Sequence, residues 1–109
     1  DFAFDRKMTD EEKAKVETIV NEKIKEELPV NMVTLPKQEA IDSGALHFFA
    51  DKYGDMVNVY YIGDSLEAAF SKEFCGGPHV SNTSELGKFK IQKEEAVSQG
   101  VRRIKAILE

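Results

Sequence analysis

The stretch Met56-Val57-Asn58-Val59-Tyr60-Tyr61-Ile62 decides the predicted fold, because it is the strongest β-strand pattern in the chain. It is dense in β-branched and aromatic residues and is closed by Gly63-Asp64, a turn-forming pair. We expect it to be the central strand of a sheet. Residues 30–35 are also typical of a strand, and their flanking prolines place that strand near an edge. Residues 70–74 alternate apolar with polar side chains as a third strand.

Two helices are predicted on the N-terminal side of this strand. Thr9 followed three residues later by Glu12 is a capping-box signature, so a helix is expected to begin there and to end before Pro29. Its apolar residues recur at steps of three and four: Val16, Ile19, Val20, Ile24 and Leu28. Pro36 suits a first helical position, which predicts a second helix over residues 37–43 and its continuation over residues 45–53.

The C-terminal third contains two more strand patterns, at residues 89–91 and 101–108. Ser98-Gln99-Gly100 between them favours a turn. Together these elements predict an α+β fold, an antiparallel-leaning β-sheet with two helices packed on one side. A chain of 109 residues is long enough for one hydrophobic core, so residues 1–109 are expected to form a single domain.

Composition and charge narrow the function classes. Hydrophobic residues make up 41% of the chain and charged residues 32%, a balance typical of globular proteins. The net charge of −5 argues against a protein that coats nucleic acid, and DNA is not expected as a partner. The chain has no apolar run of membrane-spanning length and no signal pattern, so a cytoplasmic location without membrane contact is expected. A single cysteine excludes an intrachain disulfide.

Residues 74–90 gather the only cysteine, one of the two histidines and three of the seven glycines. Cys75 and His79 are four residues apart, a spacing at which both can bind one metal ion if the backbone curls between them. Two glycines permit such a curl, and Pro78 can open a helical turn for His79. A thiolate and an imidazole suit Zn²⁺, but a structural zinc site takes four ligands and a catalytic site takes three. On spacing alone, a buried free cysteine beside a turn histidine is the alternative.

The wider pattern is more specific than this pair. In chain order it comprises Lys52-Tyr53-Gly54-Asp55, Cys75-Gly76-Gly77-Pro78-His79-Val80, Asn82-Thr83, Gly87-Lys88-Phe89-Lys90-Ile91, Glu94 and Gly100-Val101-Arg102-Arg103-Ile104. These blocks resemble the editing domain of alanyl-tRNA synthetases, which is shared with threonyl-tRNA synthetases. The chain is therefore predicted to be the C-terminal portion of such a domain.

The resemblance implies a hydrolase that acts within a larger enzyme. Such a domain deacylates tRNA(Ala) wrongly charged with serine or glycine, while the rest of the synthetase attaches alanine with ATP and Mg²⁺. A second, hydrolytic site is needed because a binding pocket built for alanine discriminates only weakly against serine, which carries an added hydroxyl. The implied partners are tRNA(Ala) and the remainder of the synthetase chain.

The resemblance also implies one Zn²⁺, held by a His-x-x-x-His pair and a Cys-x-x-x-His pair. Cys75 and His79 match the second pair. The first pair belongs to a segment upstream of Asp1, and His47, which we interpret as a packed or surface residue, does not match it. We therefore expect half of a zinc site here, and expect this segment alone to be inactive. The role of the zinc stays open among polarising the ester, activating water and holding the terminal ribose.

Basic residues near the C-terminus are candidates for tRNA contact or for ordering the site: Arg102, Arg103, Lys88 and Lys90. The two arginines lie where the family has its paired arginines, and at least one is expected to meet a tRNA phosphate or to order the site. The alternative for Arg103 is an ion pair with Glu94 or Glu95 across neighbouring strands.

Two other functions stay open. Pro78 is typical of the threonyl branch of the family, whereas Gly100-Val101-Arg102-Arg103-Ile104 is typical of the alanyl branch, which we favour. The chain could instead be a free-standing hydrolase that edits charged tRNA, or a module that binds tRNA without catalysis. The sequence upstream of Asp1 would distinguish a free-standing hydrolase from a segment of a synthetase. A deacylation assay with added zinc would distinguish a module that only binds tRNA from an editing site.

Overall fold

The computed structural model describes residues 1–47 and 54–109. Within these ranges the elements are β1 (Phe2–Ala3), α1 (Asp10–Lys25), β2 (Val30–Pro36), α2 (Lys37–Asp42), β3 (Met56–Ile62), β4 (Ser71–Phe74), a 3-10 helix (Thr83–Leu86), β5 (Phe89–Ser98) and β6 (Val101–Leu108). No helix in the described part is long and apolar enough to cross a membrane.

The strands form two antiparallel three-stranded sheets, ordered β1-β6-β5 and β2-β3-β4. The α+β class and the antiparallel pairing are thus confirmed, although we expected one sheet. The chain divides into two compact units: the first unit comprises Asp1–Glu26 and Ser84–Glu109, and the second unit comprises Glu27–Thr83. In the first unit, side chains of α1 occupy the outer edge of β5, where a further strand would have to pair. The single domain stays a prediction.

The first unit contains α1 and the β5–β6 hairpin. The Thr9 hydroxyl accepts a hydrogen bond from the Glu12 N–H (3.1 Å), and the Glu12 carboxylate accepts one from the Thr9 N–H (2.9 Å). The predicted capping box is therefore confirmed. α1 ends at Lys25, so Leu28 of the predicted apolar stripe lies beyond it. The two strands of the hairpin are joined by a turn at Gln99-Gly100.

The second unit is built around β3, which is the central strand of its sheet as predicted, with β2 at an edge. Successive side chains of a strand point to opposite faces. Val57 and Val59 therefore point to one face, where they form a buried core with Ala40, Ala45 and Phe74. α2 packs against β2 and β3. The alternate residues of β3 point to the other face of the sheet.

The connections around α2 differ from the sequence prediction. Pro36 precedes α2 as its N-cap and does not occupy the first helical position, because its backbone is extended (ψ 140°) as the last residue of β2. Gly44 follows the helix at φ +87°, as expected of a helix stop. The predicted helix over residues 45–53 is wrong at Leu46, which forms a parallel bridge with β4. Residues 48–53, which include part of that helix and Lys52-Tyr53, lie outside the described residues.

Candidate functional site

Cys75 directly follows β4 and continues its pairing with β3. The Cys75 N–H donates a hydrogen bond to the Asn58 carbonyl oxygen (N···O 3.2 Å). The Gly77 N–H donates to Cys75 Sγ (3.4 Å), so the chain folds back over the sulfur. Cys75 is half-buried, and its thiol forms no disulfide. The strand end and the glycine turn together place a backbone N–H beside the sulfur.

The Cys75 side chain lines an open cleft of about 220 Å³, together with Met56, Val57, Asn58 and Gly76. One wall of this cleft is polar, because it includes Asn58. The Asn58 amide oxygen accepts a hydrogen bond from the Thr34 hydroxyl (2.8 Å). Another wall is apolar and open to solvent, since Met56 is 56% exposed. The cleft can admit a small polar group beside the sulfur.

His79 lies in the irregular segment that follows Cys75. Its ring stacks on the ring of Tyr60, with 4.0 Å between the ring centroids and 25° between the ring planes. Pro78 opens no helical turn, which corrects the expectation from sequence. Two residues after His79 the backbone forms a hydrogen bond with the start of β2: the Val30 N–H donates to the Ser81 carbonyl oxygen (3.0 Å).

Cys75 and His79 offer a sulfur and an imidazole nitrogen, two donor types that Zn²⁺ accepts. Within residues 1–47 and 54–109, no group of three or more His, Cys, Asp or Glu side chains is arranged to hold a metal ion. The pair fits zinc in its donor chemistry and supplies two candidate ligands. The binding of zinc stays a prediction.

His47 contacts Phe74 and the backbone of Ala45. Its ring lies 5.2 Å from the ring of Phe74, centroid to centroid, and its Nδ1 lies 2.9 Å from the Ala45 carbonyl oxygen, which accepts a hydrogen bond. These contacts agree with the interpretation of His47 as a packed or surface residue.

The two arginines of β6 have different partners within the first unit. The Arg102 guanidinium donates to the Glu94 carboxylate (Nε···Oε1 3.0 Å), whose side chain is fully buried. The Arg103 guanidinium donates to both carboxylate oxygens of Asp1 (2.7 and 3.0 Å) at the surface. The alternative prediction, a pair of Arg103 with Glu94 or Glu95, is therefore wrong. Arg103 lies opposite Glu95 in the strand register, but Arg102 is the arginine that binds a glutamate.

Glu95, which lies opposite Arg103, has two lysines as its partners. Glu95 pairs with Lys93 (3.0 Å) and with Lys105 (3.3 Å). Lys88 and Lys90 are exposed and form no ion pair within the two described ranges. Of the four basic candidates, Lys88 and Lys90 thus keep their charge open to solvent, and Arg103 is held by an exposed carboxylate.

The Arg102 guanidinium holds the pKa of Glu94 below its ordinary value of 4.5. Burial of the carboxyl group opposes this shift, and a hydrogen bond from the Met8 N–H (2.7 Å) adds to it. The carboxylate therefore stays charged inside the first unit, and it ties three segments of that unit together.

Known proteins are similar to this chain over its whole length. Residues 57–105 match the family model for the threonyl and alanyl tRNA synthetase second additional domain. Over 109 residues, the whole of this chain, 52% are identical to an alanine–tRNA ligase of Treponema denticola. The chain belongs to the alanine–tRNA ligase family. This confirms the resemblance stated from the motifs.

Other alanine–tRNA ligases are similarly close to this ligase segment. The identity is 54% over 108 residues, 99% of this chain, for the Borreliella burgdorferi protein. It is 50% over 107 residues, 98% of this chain, for the Halalkalibacterium halodurans protein. The chain spans 17% of the length of the Treponema denticola and Borreliella burgdorferi relatives and 12% of the third. It is thus similar to one segment of a much longer enzyme.

Tyr60 is a residue of this ligase segment that the sequence analysis did not single out. Its position in β3 carries a usable signal, because strand alternation places Tyr60 on the face opposite Val57 and Val59. The contact with His79 could not be predicted, since it depends on the path of an irregular loop.

Proposed function

We propose that this ligase segment carries one half of an editing site that removes serine or glycine from wrongly charged tRNA(Ala). The observation that carries the proposal is Cys75, which lines a cleft at the end of β4, with His79 four residues further on. The match to a domain of threonyl and alanyl tRNA synthetases supports the editing role.

Cys75 and His79 would supply two ligands of a Zn²⁺, and the remaining ligands would come from elsewhere in the ligase. When bound, the ion supplies Lewis-acid chemistry next to the aminoacyl ester. The Gly77 N–H orients the sulfur, and the cleft beside it has room for the small side chain that distinguishes serine from alanine. Two ligands do not complete a zinc site, so we expect no deacylation by this segment alone.

Arg103, Lys88 and Lys90 are proposed to contact tRNA phosphates. The support is their position at the surface of the first unit, where a lysine or arginine can exchange water and counterions for a phosphate. Arg102 is proposed to order the β5–β6 hairpin, because its guanidinium is bound to a buried carboxylate.

The complete ligase is proposed to attach alanine to tRNA(Ala) with ATP and Mg²⁺ in the cytoplasm. The relatives' name, alanine–tRNA ligase, supports the attachment of alanine to tRNA. Their length, about six to eight times that of this chain, favours a ligase over a free-standing hydrolase.

Removal of either proposed ligand in the complete ligase tests the editing role. We expect Cys75→Ala and His79→Ala to slow the deacylation of seryl-tRNA(Ala) at least about 100-fold, because loss of a ligand weakens a metal site more than loss of an outer partner. Attachment of alanine should stay unchanged. His47→Gln is the matched control, since His47 is the other exposed histidine of the second unit, and it should deacylate as the parent does.

Deacylation by Cys75→Ala and His79→Ala at the parent rate would overturn the proposal. A parent ligase that binds tRNA(Ala) through this segment and lacks deacylation would favour the non-catalytic tRNA-binding module instead.

A further inference from the structure

The imidazole of His79 rests on an aromatic ring. The centroids of the His79 and Tyr60 rings are 4.0 Å apart and the planes differ by 25°, the geometry of stacked rings. His79 itself is exposed and follows two glycines and a proline in a segment without regular structure. Such a backbone leaves a side chain many orientations. The stack on Tyr60 therefore restricts a ring that the loop alone would not hold.

Tyr60 is well placed for this role because it belongs to the central strand of its sheet. Tyr60 lies opposite Glu73 of β4 in the strand register. Two residues along, Asn58 lies opposite Cys75, whose N–H donates to the Asn58 carbonyl oxygen. The sheet face opposite the buried core therefore carries Tyr60, Asn58 and Cys75. A rigid strand thus carries the ring that supports His79 on the same face as the cysteine sulfur.

We propose that Tyr60 is a positioning residue, whose ring orients the His79 imidazole for Zn²⁺ on the face that carries Cys75. The inference rests on the proposed zinc role of Cys75 and His79. Metal-binding histidines are commonly oriented by a polar partner on the second ring nitrogen. Here the face of the Tyr60 ring orients the imidazole. Both nitrogens of His79 lie at the edge of its ring, so the stack does not cover them. Loss of a stack of this kind should weaken zinc binding by about 3- to 10-fold.

The test measures zinc affinity in the complete ligase by competition with a chromophoric chelator. The difference in bound zinc between the parent and Cys75→Ser gives the zinc that depends on this site. Tyr60→Leu is expected to raise the Kd of that zinc by about 3- to 10-fold, and Tyr60→Phe, which keeps the ring, should leave it within about 2-fold of the parent. Tyr61→Leu is the matched control, because Tyr61 is the next residue of β3 and points to the opposite face. It should leave the zinc Kd unchanged.

The outcomes separate this inference from the proposed function. Equal zinc binding by the parent and Cys75→Ser would overturn both. Cys75-dependent binding with the same Kd in the parent and Tyr60→Leu would overturn only the role of Tyr60. Circular dichroism checks that each variant folds. Tyr60→Val, whose β-branched side chain suits a strand, repeats the measurement if the leucine variant does not fold.

Discussion

Arg102 and Glu94 form an ion pair across two neighbouring strands, in which the Glu94 side chain is fully buried and the Arg102 side chain is 16% exposed. Arg102 Nε lies 3.0 Å from Oε1 and 3.4 Å from Oε2 of Glu94. The Met8 N–H donates to Oε2 at 2.7 Å. The carboxylate therefore joins β5, β6 and the segment before α1. Removal of one partner would leave an uncompensated charge inside the first unit.

Arg102→Ala is expected to destabilise the chain far more than Arg103→Ala. The first change leaves the buried Glu94 carboxylate without its cation, whereas the second leaves the exposed Asp1 carboxylate in water. We expect Tm to fall by about 10 °C or more for Arg102→Ala and by about 2 °C or less for Arg103→Ala. Differential scanning calorimetry measures both values, and equal shifts would contradict the assignment of Arg102 to structure.

Arg103→Ala should weaken tRNA(Ala) binding without changing the fold. The Arg103 side chain is 42% exposed, and its partner Asp1 can be exchanged for a phosphate. We expect the slope of log K against log salt concentration to fall in magnitude by about 1, as for the loss of one phosphate contact. Filter binding by the complete ligase at several salt concentrations measures this slope. Arg103→Lys keeps the charge and should keep the slope, so a loss in both variants would point to a different cause.

The loss of stability on acidification should depend in part on Glu12. A bidentate hydrogen bond from Arg6 (2.6 and 2.9 Å), helped by the Thr9 N–H, lowers the pKa of Glu12 from 4.5 to about 2. A depressed carboxyl pKa stabilises the fold above about pH 4.5, and this contribution is lost as the pH falls toward about 2. Glu12→Gln keeps an oxygen for the Thr9 N–H but removes the charge.

We therefore expect Glu12→Gln to be less stable than the parent at neutral pH, and the difference to shrink as the pH falls below about 4. Urea unfolding at several pH values gives the free energies of unfolding. A difference that is constant over this range would show that the Arg6–Glu12 pair contributes nothing to stability.

Elements with strong local signals could be predicted from the sequence. The capping box of Thr9 and Glu12 and the β-branched run of β3 specify their own local structure, and both are present. The hairpin of β5 and β6 also follows from its turn, although residues 92–98 were not included in the predicted strand. The division of the strands into two sheets could not be predicted, because it depends on which strand edges α1 covers.

The candidate site was predictable by residue type and less so by contact. Cys75 and His79 could be chosen because their donor chemistry and spacing are visible in the sequence. The different partners of Arg102 and Arg103 were not visible, since adjacent residues of a strand face opposite sides and only the fold shows which side is buried. The stack of Tyr60 on His79 could not be predicted either, because it depends on the path of the irregular segment that carries His79.

Asn21→Ala is expected to expose the edge of β5. The Asn21 amide donates to the Phe89 carbonyl oxygen (2.9 Å) and accepts from the Phe89 N–H (2.8 Å), so a helix side chain occupies the position of a neighbouring strand. Loss of both bonds should lower the free energy of unfolding by about 1–3 kcal/mol. Thr18→Ala, at an exposed position of α1, is the control and should cost less than about 1 kcal/mol. Urea unfolding measures both changes, and a tendency of Asn21→Ala to self-associate in ultracentrifugation would support the edge role.

Gly87→Ala should destabilise the chain more than Gly100→Ala, although the two glycines have nearly the same φ. Their φ values are +75° and +74°, so an alanine at either position carries the same backbone strain, about 1–2 kcal/mol. The surroundings differ. A Cβ at position 87 would lie 2.6 Å from the carbonyl oxygen of Glu109, whereas no heavy atom lies within 4 Å of a Cβ at position 100.

The Glu109 oxygen cannot move away without loss, because it accepts a hydrogen bond from the Lys88 N–H (3.1 Å) while the Glu109 N–H donates to the Lys88 carbonyl oxygen (2.7 Å). We therefore expect Gly87→Ala to cost at least about 1 kcal/mol more than Gly100→Ala in the free energy of unfolding. Because the strain at φ cancels between the variants, the difference measures the close approach of residue 87 to the strand end. Equal costs in urea unfolding would mean that the pairing of Lys88 with Glu109 does not form in solution.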